Sequence, residues 1–218
     1  MDEGLIFLDK NHDRDNWFLH IESFDPHEPF FTQAHYKALY PDDYEGPDFD
    51  WPLYRRVDES DAEIERCRHN YAALVTMCDR SLGRVLDAMD RYDLWRDTML
   101  IVNTDHGFLL GEHDWWAKCV MPFYSEVAHT PLFIWDPRCG RAGARVDALV
   151  QTIDLAPTLL DYFGAPIPPD MQDRPLREAV ANGAPEHESR PGGAGTAHHA
   201  VRPGARSRAG APHRRPRG

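Results

Sequence analysis

No apolar run in this 218-residue chain is long enough to cross a bilayer; Met99 to Val102 is typical of its longest ones. The opening Met1-Asp2-Glu3 carries acids where a secretion signal would carry bases, so a cytoplasmic location is expected. None of the four cysteines (Cys67, Cys78, Cys119, Cys139) stands in a CxxC pair or at zinc-site spacing, which argues against a structural zinc and mildly favours a reducing compartment. Lysine is scarce, with three against 21 arginines, and no internal repeat is visible.

The net charge of −12 conceals two unlike parts. Residues 185–218 hold seven Arg and two Glu, a net of +5, so the first 184 residues carry −17. A body this acidic excludes nucleic acid as a partner for the folded part and suits a protein that gathers carboxylates around a cation. Residues 185–218 contain no aromatic, and their only aliphatic side chain larger than alanine is Val201. Such a segment buries too little apolar surface to offset chain entropy, so a disordered basic tail is expected. Its abrupt composition also looks like a GC-rich gene read in a shifted frame. A basic tail offers a polyanion-binding reading as well, one that salt would weaken.

The body, residues 1–184, reads as α/β. Met1 to Lys10 is weakly helical. Trp17 to Glu22 is an aromatic and β-branched run that predicts a strand, followed by a proline-broken loop through Pro29. Residues 40–57, rich in Pro, Asp and aromatics, predict a surface excursion or lid. Ser60-Asp61-Ala62-Glu63 has capping-box form. The apolar stripe Ile64, Cys67, Tyr71, Leu74, Cys78, Leu82, Val85 and Met89 then predicts a long amphipathic helix.

Thr98 to Thr104 predicts a strand buried on both faces of a parallel sheet. Leu132 to Trp135 and Val146 to Val150 predict two more, and Asp154 is expected to cap a helix from Leu155 to Phe163 that Gly164 stops. Helices on both faces of a mostly parallel sheet follow.

Ligands of such sheets bind where strands end and loops converge. Two polar clusters sit there: Asp25 to Pro29, and Asp105-His106-Gly107. Neighbours in a strand point to opposite faces, so Asp105 and His106 reach one ion only where the chain bends, which Gly107 permits. One carboxylate with one imidazole suits Ca²⁺ or Mn²⁺ better than Zn²⁺. A hydrogen-bonded Asp-His pair capping a strand is the competing reading.

The stretch Asn103-Thr104-Asp105-His106-Gly107-Phe108-Leu109-Leu110-Gly111-Glu112-His113, with Lys118 beyond it, resembles the signature of sulfatases and the related phosphonate and phosphodiester hydrolases of the alkaline-phosphatase-like superfamily. Asp25-Pro26-His27-Glu28-Pro29-Phe30 is similar to a second motif of that family, and Asp154-Leu155-Ala156-Pro157-Thr158 to its downstream helix, all three in the family order. The resemblance covers 1–184 and implies a partial alkaline-phosphatase-like sandwich and a metal-dependent sulfuric ester hydrolase. Phosphonate monoester or phosphodiester hydrolysis is the alternative. It implies that Asp105 and His106 are metal ligands, Ca²⁺ foremost and Mn²⁺ next. It also implies that Lys118 and His27 are catalytic and substrate-binding residues touching the transferred group, of a small-molecule sulfate or phosphonate ester.

The family's nucleophile, a Cys or Ser in Cys/Ser-x-Pro-x-Arg with the cysteine oxidised to formylglycine, does not occur in these 218 residues. Nor does its Asp-Asp strand, and both are expected upstream of Met1. A chain lacking them is also open to a non-catalytic reading, as a fragment or binding module.

Overall fold

The computed structural model describes residues 1–182, so the expected tail at 185–218, disordered and frame-shifted, lies outside the described residues. The helix predicted from the stripe is the longest element. Before it come α1 (Asp2–Asn11) and the single turn α2 (Ala34–Lys37), then α3 (Asp61–Arg91). Ser60 caps α3 with the reciprocal bonds of a capping box. Its hydroxyl accepts from the Glu63 amide at 3.4 Å, and the Glu63 carboxylate accepts from the Ser60 amide at 2.8 Å. At about 1.5 Å per residue, the 31 residues of α3 run some 46 Å.

That length lets one stripe serve two cores. Toward its C-terminal end, Val85, Ala88 and Met89 pack with Leu8 of α1 and Leu94. Toward its N-terminal end, Cys67 and Leu74 pack with Phe30, Trp116 and Ala117. The second core underlies the site, because Phe30 closes the proline loop and Trp116-Ala117 directly precedes Lys118.

The strands are β1 (Leu100–Asn103), β2 (Leu109–Leu110), β3 (Trp116–Ala117) and β4 (Leu132–Trp135), with the one-turn α4 (Ser125–Ala128) before β4. β2 and β3 form a hairpin that pairs Leu109 with Ala117 and Leu110 with Trp116. β1 pairs with β4, Leu100 opposite Trp135 through Asn103 opposite Leu132. Beyond β4, Arg138 bridges the buried Asp136 at 2.7 Å and Asp161 at 2.9 Å, pinning α5 (Leu155–Tyr162) to the sheet; α6 (Arg177–Asn182) follows.

Helices and strands mix as the α/β class requires, but several details differ from the sequence reading. Both described pairings are antiparallel. The continuous apolar run of β1 predicted burial on two faces, yet with one described neighbour its residues are only partly buried. Residues 17–22 are not a strand: Trp17, Leu19 and Ile21 point alternately into the first core, as in a strand, but no described segment forms a ladder with them. Residues 146–150 lack a partner ladder in the same way.

Asp154 stands at the N-cap position of α5 as expected, but its side chain makes no cap bond there. Its carboxylate instead accepts the Gln151 amide at 2.7 Å, closing the 3₁₀ turn Thr152–Asp154 that leads into the helix. Gly164, with φ of +65°, ends α5 as expected, since that conformation strains any side chain.

The excursion at 40–57 is docked rather than free. Asp42 and Asp48 receive Arg66, His69 and Asn70 of α3, and Phe49 meets Trp116 edge to face. Among the described residues no helix is long and apolar enough to cross a membrane.

Candidate active site

The proline loop after residue 22 and the end of the β2–β3 hairpin meet at one point. Lys118 Nζ lies 2.6 Å from His27 Nε2 and 3.3 Å from the Glu28 carboxylate, and 5.9 Å above the Phe108 ring. An ammonium has hydrogens to give and no lone pair, so Nε2 is the acceptor of that short contact. The other ring nitrogen, Nδ1, therefore carries the hydrogen and donates to the Glu28 carbonyl at 2.7 Å. Two partners hold the imidazole in one orientation, with the Phe24 ring 4.5 Å away.

Glu28 is the residue that the sequence reading missed. Its side chain is 3% exposed, a carboxylate taken almost wholly out of water. It stays charged through its partners: the Tyr54 hydroxyl donates to one oxygen and Lys118 to the other. Burial pushes its carboxyl upward, but the Tyr54 hydrogen bond, a backbone amide and the charges of Lys118 and His27 outweigh that, leaving it below the usual glutamate range. Burial and the same hydrogen bond push the Tyr54 hydroxyl well above its ordinary value. Tyr54 belongs to the docked excursion, so residues 40–57 reach into the site. A charged residue between His27 and Pro29 was the only signal for Glu28, and a loop glutamate is ordinarily solvated.

Asp105 and His106 follow β1 at a bend. Asp105 Oδ1 accepts the His106 amide at 2.9 Å, and His106 Nδ1 contacts the Gly107 carbonyl at 2.9 Å. That contact places the ring hydrogen on Nδ1 and leaves Nε2 with its lone pair free, 3.5 Å from Asp105 Oδ2. The two side chains thus lie within 3.5 Å of each other, close enough for a shared cation, and Asp105 is largely exposed. Burial opposes ionisation of Asp105, and the His106 amide and ring outweigh it, so its carboxyl is also held low. The two residues fit as part of a hard-cation site, and among the described residues no third His, Cys, Asp or Glu joins them.

Gly107 explains the bend. A side chain there would place its Cβ 1.8 Å from the Glu126 carbonyl oxygen, and its amide donates to Val127 O at 2.8 Å. The dipeptide is thereby fastened to α4. His113 Nε2 meets Glu126 at 3.1 Å and its ring stacks on Tyr124 at 3.9 Å, fastening the hairpin tip to the same turn.

The structure therefore joins His27 and Lys118 directly. The link to Asp105 and His106 runs through Phe108, two residues after His106 and beneath the Lys118 ammonium.

The profile of the family described as Sulfatase matches residues 1–165. A multifunctional alkaline phosphatase superfamily protein of Trinickia caryophylli is 31% identical over 84% of this chain, which covers 41% of that protein. An N-acetylglucosamine-6-O-sulfatase of Bacteroides thetaiotaomicron is 34% identical over 55% of the chain, covering 21% of that enzyme. Among solved structures, a phosphonate monoester hydrolase from Silicibacter pomeroyi superposes with a TM-score of 0.56 at 36% identity, over 62% of this chain and 26% of that one. The chain spans between about a fifth and two fifths of the length of these relatives. With the match running through the proline loop, the Asp105-His106-Gly107 bend, Lys118 and α5, this chain belongs to the Sulfatase family.

Proposed function

We propose that this chain forms the anion-holding side of a site that hydrolyses sulfate esters of small molecules. The contact between Lys118 and His27 carries the proposal. A part-buried ammonium and an oriented imidazole meet at 2.6 Å, an arrangement with cationic hydrogens to spare for an anion.

When a tetrahedral ester is attacked, negative charge grows on its non-bridging oxygens and on the departing oxygen. Lys118 holds a non-bridging oxygen by point-charge attraction. His27, relieved of its contact with Lys118 as the ammonium turns to the ester, faces the leaving oxygen. A proton taken up from solvent at the vacated Nε2 passes to that oxygen, while Lys118 keeps its own and stays an ammonium.

Sulfatase-family enzymes work with a divalent metal and a formylglycine. In our reading Asp105 Oδ2 and His106 Nε2 would supply two ligands to Ca²⁺, with Mn²⁺ the alternative, and the bound ion would offset negative charge on the ester. The 218 residues hold no Cys/Ser-x-Pro-x-Arg, and our reading assigns no nucleophile among them.

Phosphonate monoester hydrolysis is the second reading, favoured by the 36% identity to the Silicibacter hydrolase. Kinetics of the protein carrying this chain on an aryl sulfate and an aryl phosphonate monoester separate the two. Turnover that survives the double change Asp105→Ala with Lys118→Ala sinks the site.

A further inference from the structure

Glu28 has no part in the chemistry proposed above, yet its side chain is more deeply buried than those of Tyr54, Lys118 and His27, which it touches. A glutamine would fill the same space and accept the Tyr54 hydrogen bond. The negative charge itself therefore calls for an account. We infer that Glu28 is a specificity-determining residue that restricts the site to tetrahedral esters carrying a single negative charge, an inference that rests on the anion site of the proposed function.

The argument is electrostatic. Lys118 Nζ is 3.3 Å from the Glu28 carboxylate. An ester oxygen held by the same ammonium at hydrogen-bond distance stands within about 6 Å of that carboxylate. Lys118 and Glu28 sum to zero, so this corner of the site offers orientation and hydrogens without net positive charge. A singly charged ester is tolerated there. A second charge on the ester meets the buried Glu28 carboxylate at short range, and at an effective dielectric constant of about 20 that repulsion weakens binding by at least roughly tenfold. Sulfate monoesters, phosphonate monoesters and phosphodiesters each carry one charge, whereas phosphate monoesters carry two above their second pKa of about 6. The same carboxylate thus admits both substrate classes considered above and rejects simple phosphates.

Three observations support a charged rather than a merely polar Glu28. Tyr54 donates to one carboxylate oxygen and Lys118 to the other. The carboxyl lies below the ordinary glutamate range despite burial. Tyr54 comes from the docked excursion, so the charge is held from two directions.

Calorimetric binding of methyl sulfate and methyl phosphate to the metal-loaded protein carrying this chain provides the test. Methyl sulfate has one charge throughout; methyl phosphate has two at about pH 8 and one at about pH 5. The expected result is methyl sulfate at least tenfold tighter at the higher pH, with the gap closing at the lower. Groups that titrate around the carboxylate (His27, Lys118, Tyr54 and Cys119) act on both ligands, so the ratio isolates the second charge. Glu28→Gln is expected to shrink the gap at the higher pH roughly tenfold, and Tyr54→Phe, which keeps the charge, to preserve it.

A gap equal in wild type and Glu28→Gln overturns the inference and leaves the anion site standing, as does a wild type that shows no gap. If Glu28→Gln does not fold, the wild-type pH comparison decides alone. If neither anion binds the wild-type protein, the proposed function fails and this inference fails with it.

Discussion

Lys118 Nζ and His27 Nε2, 91 residues apart in sequence, stand 2.6 Å apart, and the Glu28 carboxylate touches the same ammonium. The pair exists because one core, Phe30 with Trp116 and Ala117 against α3, positions both segments. What loosens that core or strips the pair of a partner should therefore be felt in stability as well as in turnover.

Lys118→Ala leaves the Glu28 carboxylate buried with Tyr54 as its only side-chain donor. A loss of about 1–3 kcal/mol is expected for a buried group left short of a partner, seen as a lower thermal midpoint. On the proposed reading, turnover of an aryl sulfate falls about 10²–10³-fold, the usual cost of one preorganised charge donor. Lys118→Arg is expected not to restore it, since a planar fork does not fit where the point charge sat between His27 and Glu28.

Gly107→Ala is a purely steric test. The added Cβ would stand 1.8 Å from the Glu126 carbonyl oxygen, a contact no side-chain rotation relieves because backbone is the neighbour. Either the bend or α4 must shift, at a cost of about 1–3 kcal/mol. Chemical denaturation measures the cost. Weakened divalent-metal binding in the same variant, by calorimetry, would show that the bend serves Asp105 and His106.

Acid stability should report on Asp48. Burial works against its ionisation, but hydrogen bonds from Lys37, Asn70 and Arg66 win and hold the carboxyl at about 2. Its folded value is thus below its unfolded one near 3.8. The contribution is fully present above the unfolded value and is lost as pH falls toward the folded one. Wild type should lose denaturant midpoint between pH 4 and pH 2 more steeply than Asp48→Asn. Because this carboxylate is 43% exposed, added salt should reduce the difference.

Thiol reactivity should follow burial. Burial, with nearby carboxylates, pushes the Cys67 thiol up to about 12, and burial takes Cys78 to about 11. Neither should react with a disulfide reagent in the native protein at mildly alkaline pH, whereas the exposed Cys119 should react promptly. Rapid modification of Cys67 without denaturant would contradict the core built around Phe30 and Trp116.

The helix α3 was legible to the residue at its start, because a capping box is a conversation among neighbours: Ser60 and Glu63 satisfy each other's amides wherever the rest of the chain lies. The stop at Gly164 is local in the same sense. Residues 17–22 and 146–150 show the opposite. Their composition reads as strand, and Trp17, Leu19 and Ile21 even alternate inward, but a strand needs a ladder from a distant segment, and the described chain supplies none beside them. Asp154 was assigned to the wrong amide, since a carboxylate beside a helix start can serve either the helix or the turn before it.

By itself the sequence determined the family, the helical framework and the four residues on which the site was expected to rest, His27, Lys118, Asp105 and His106. The helices are a matter of residue type and short spacing, set by bonds that span three or four positions; the family and the four residues rest on a resemblance of ordered motifs. Only the tertiary structure decided that the β1–β4 pair runs antiparallel, that His27 meets Lys118, and that Glu28 is buried between them. Each depends on contacts across tens of residues: Tyr54 lies 26 positions from Glu28, and Lys118 lies 90. Whether a loop carboxylate is solvated or sealed is a property of what folds over it, and no local pattern carries that information.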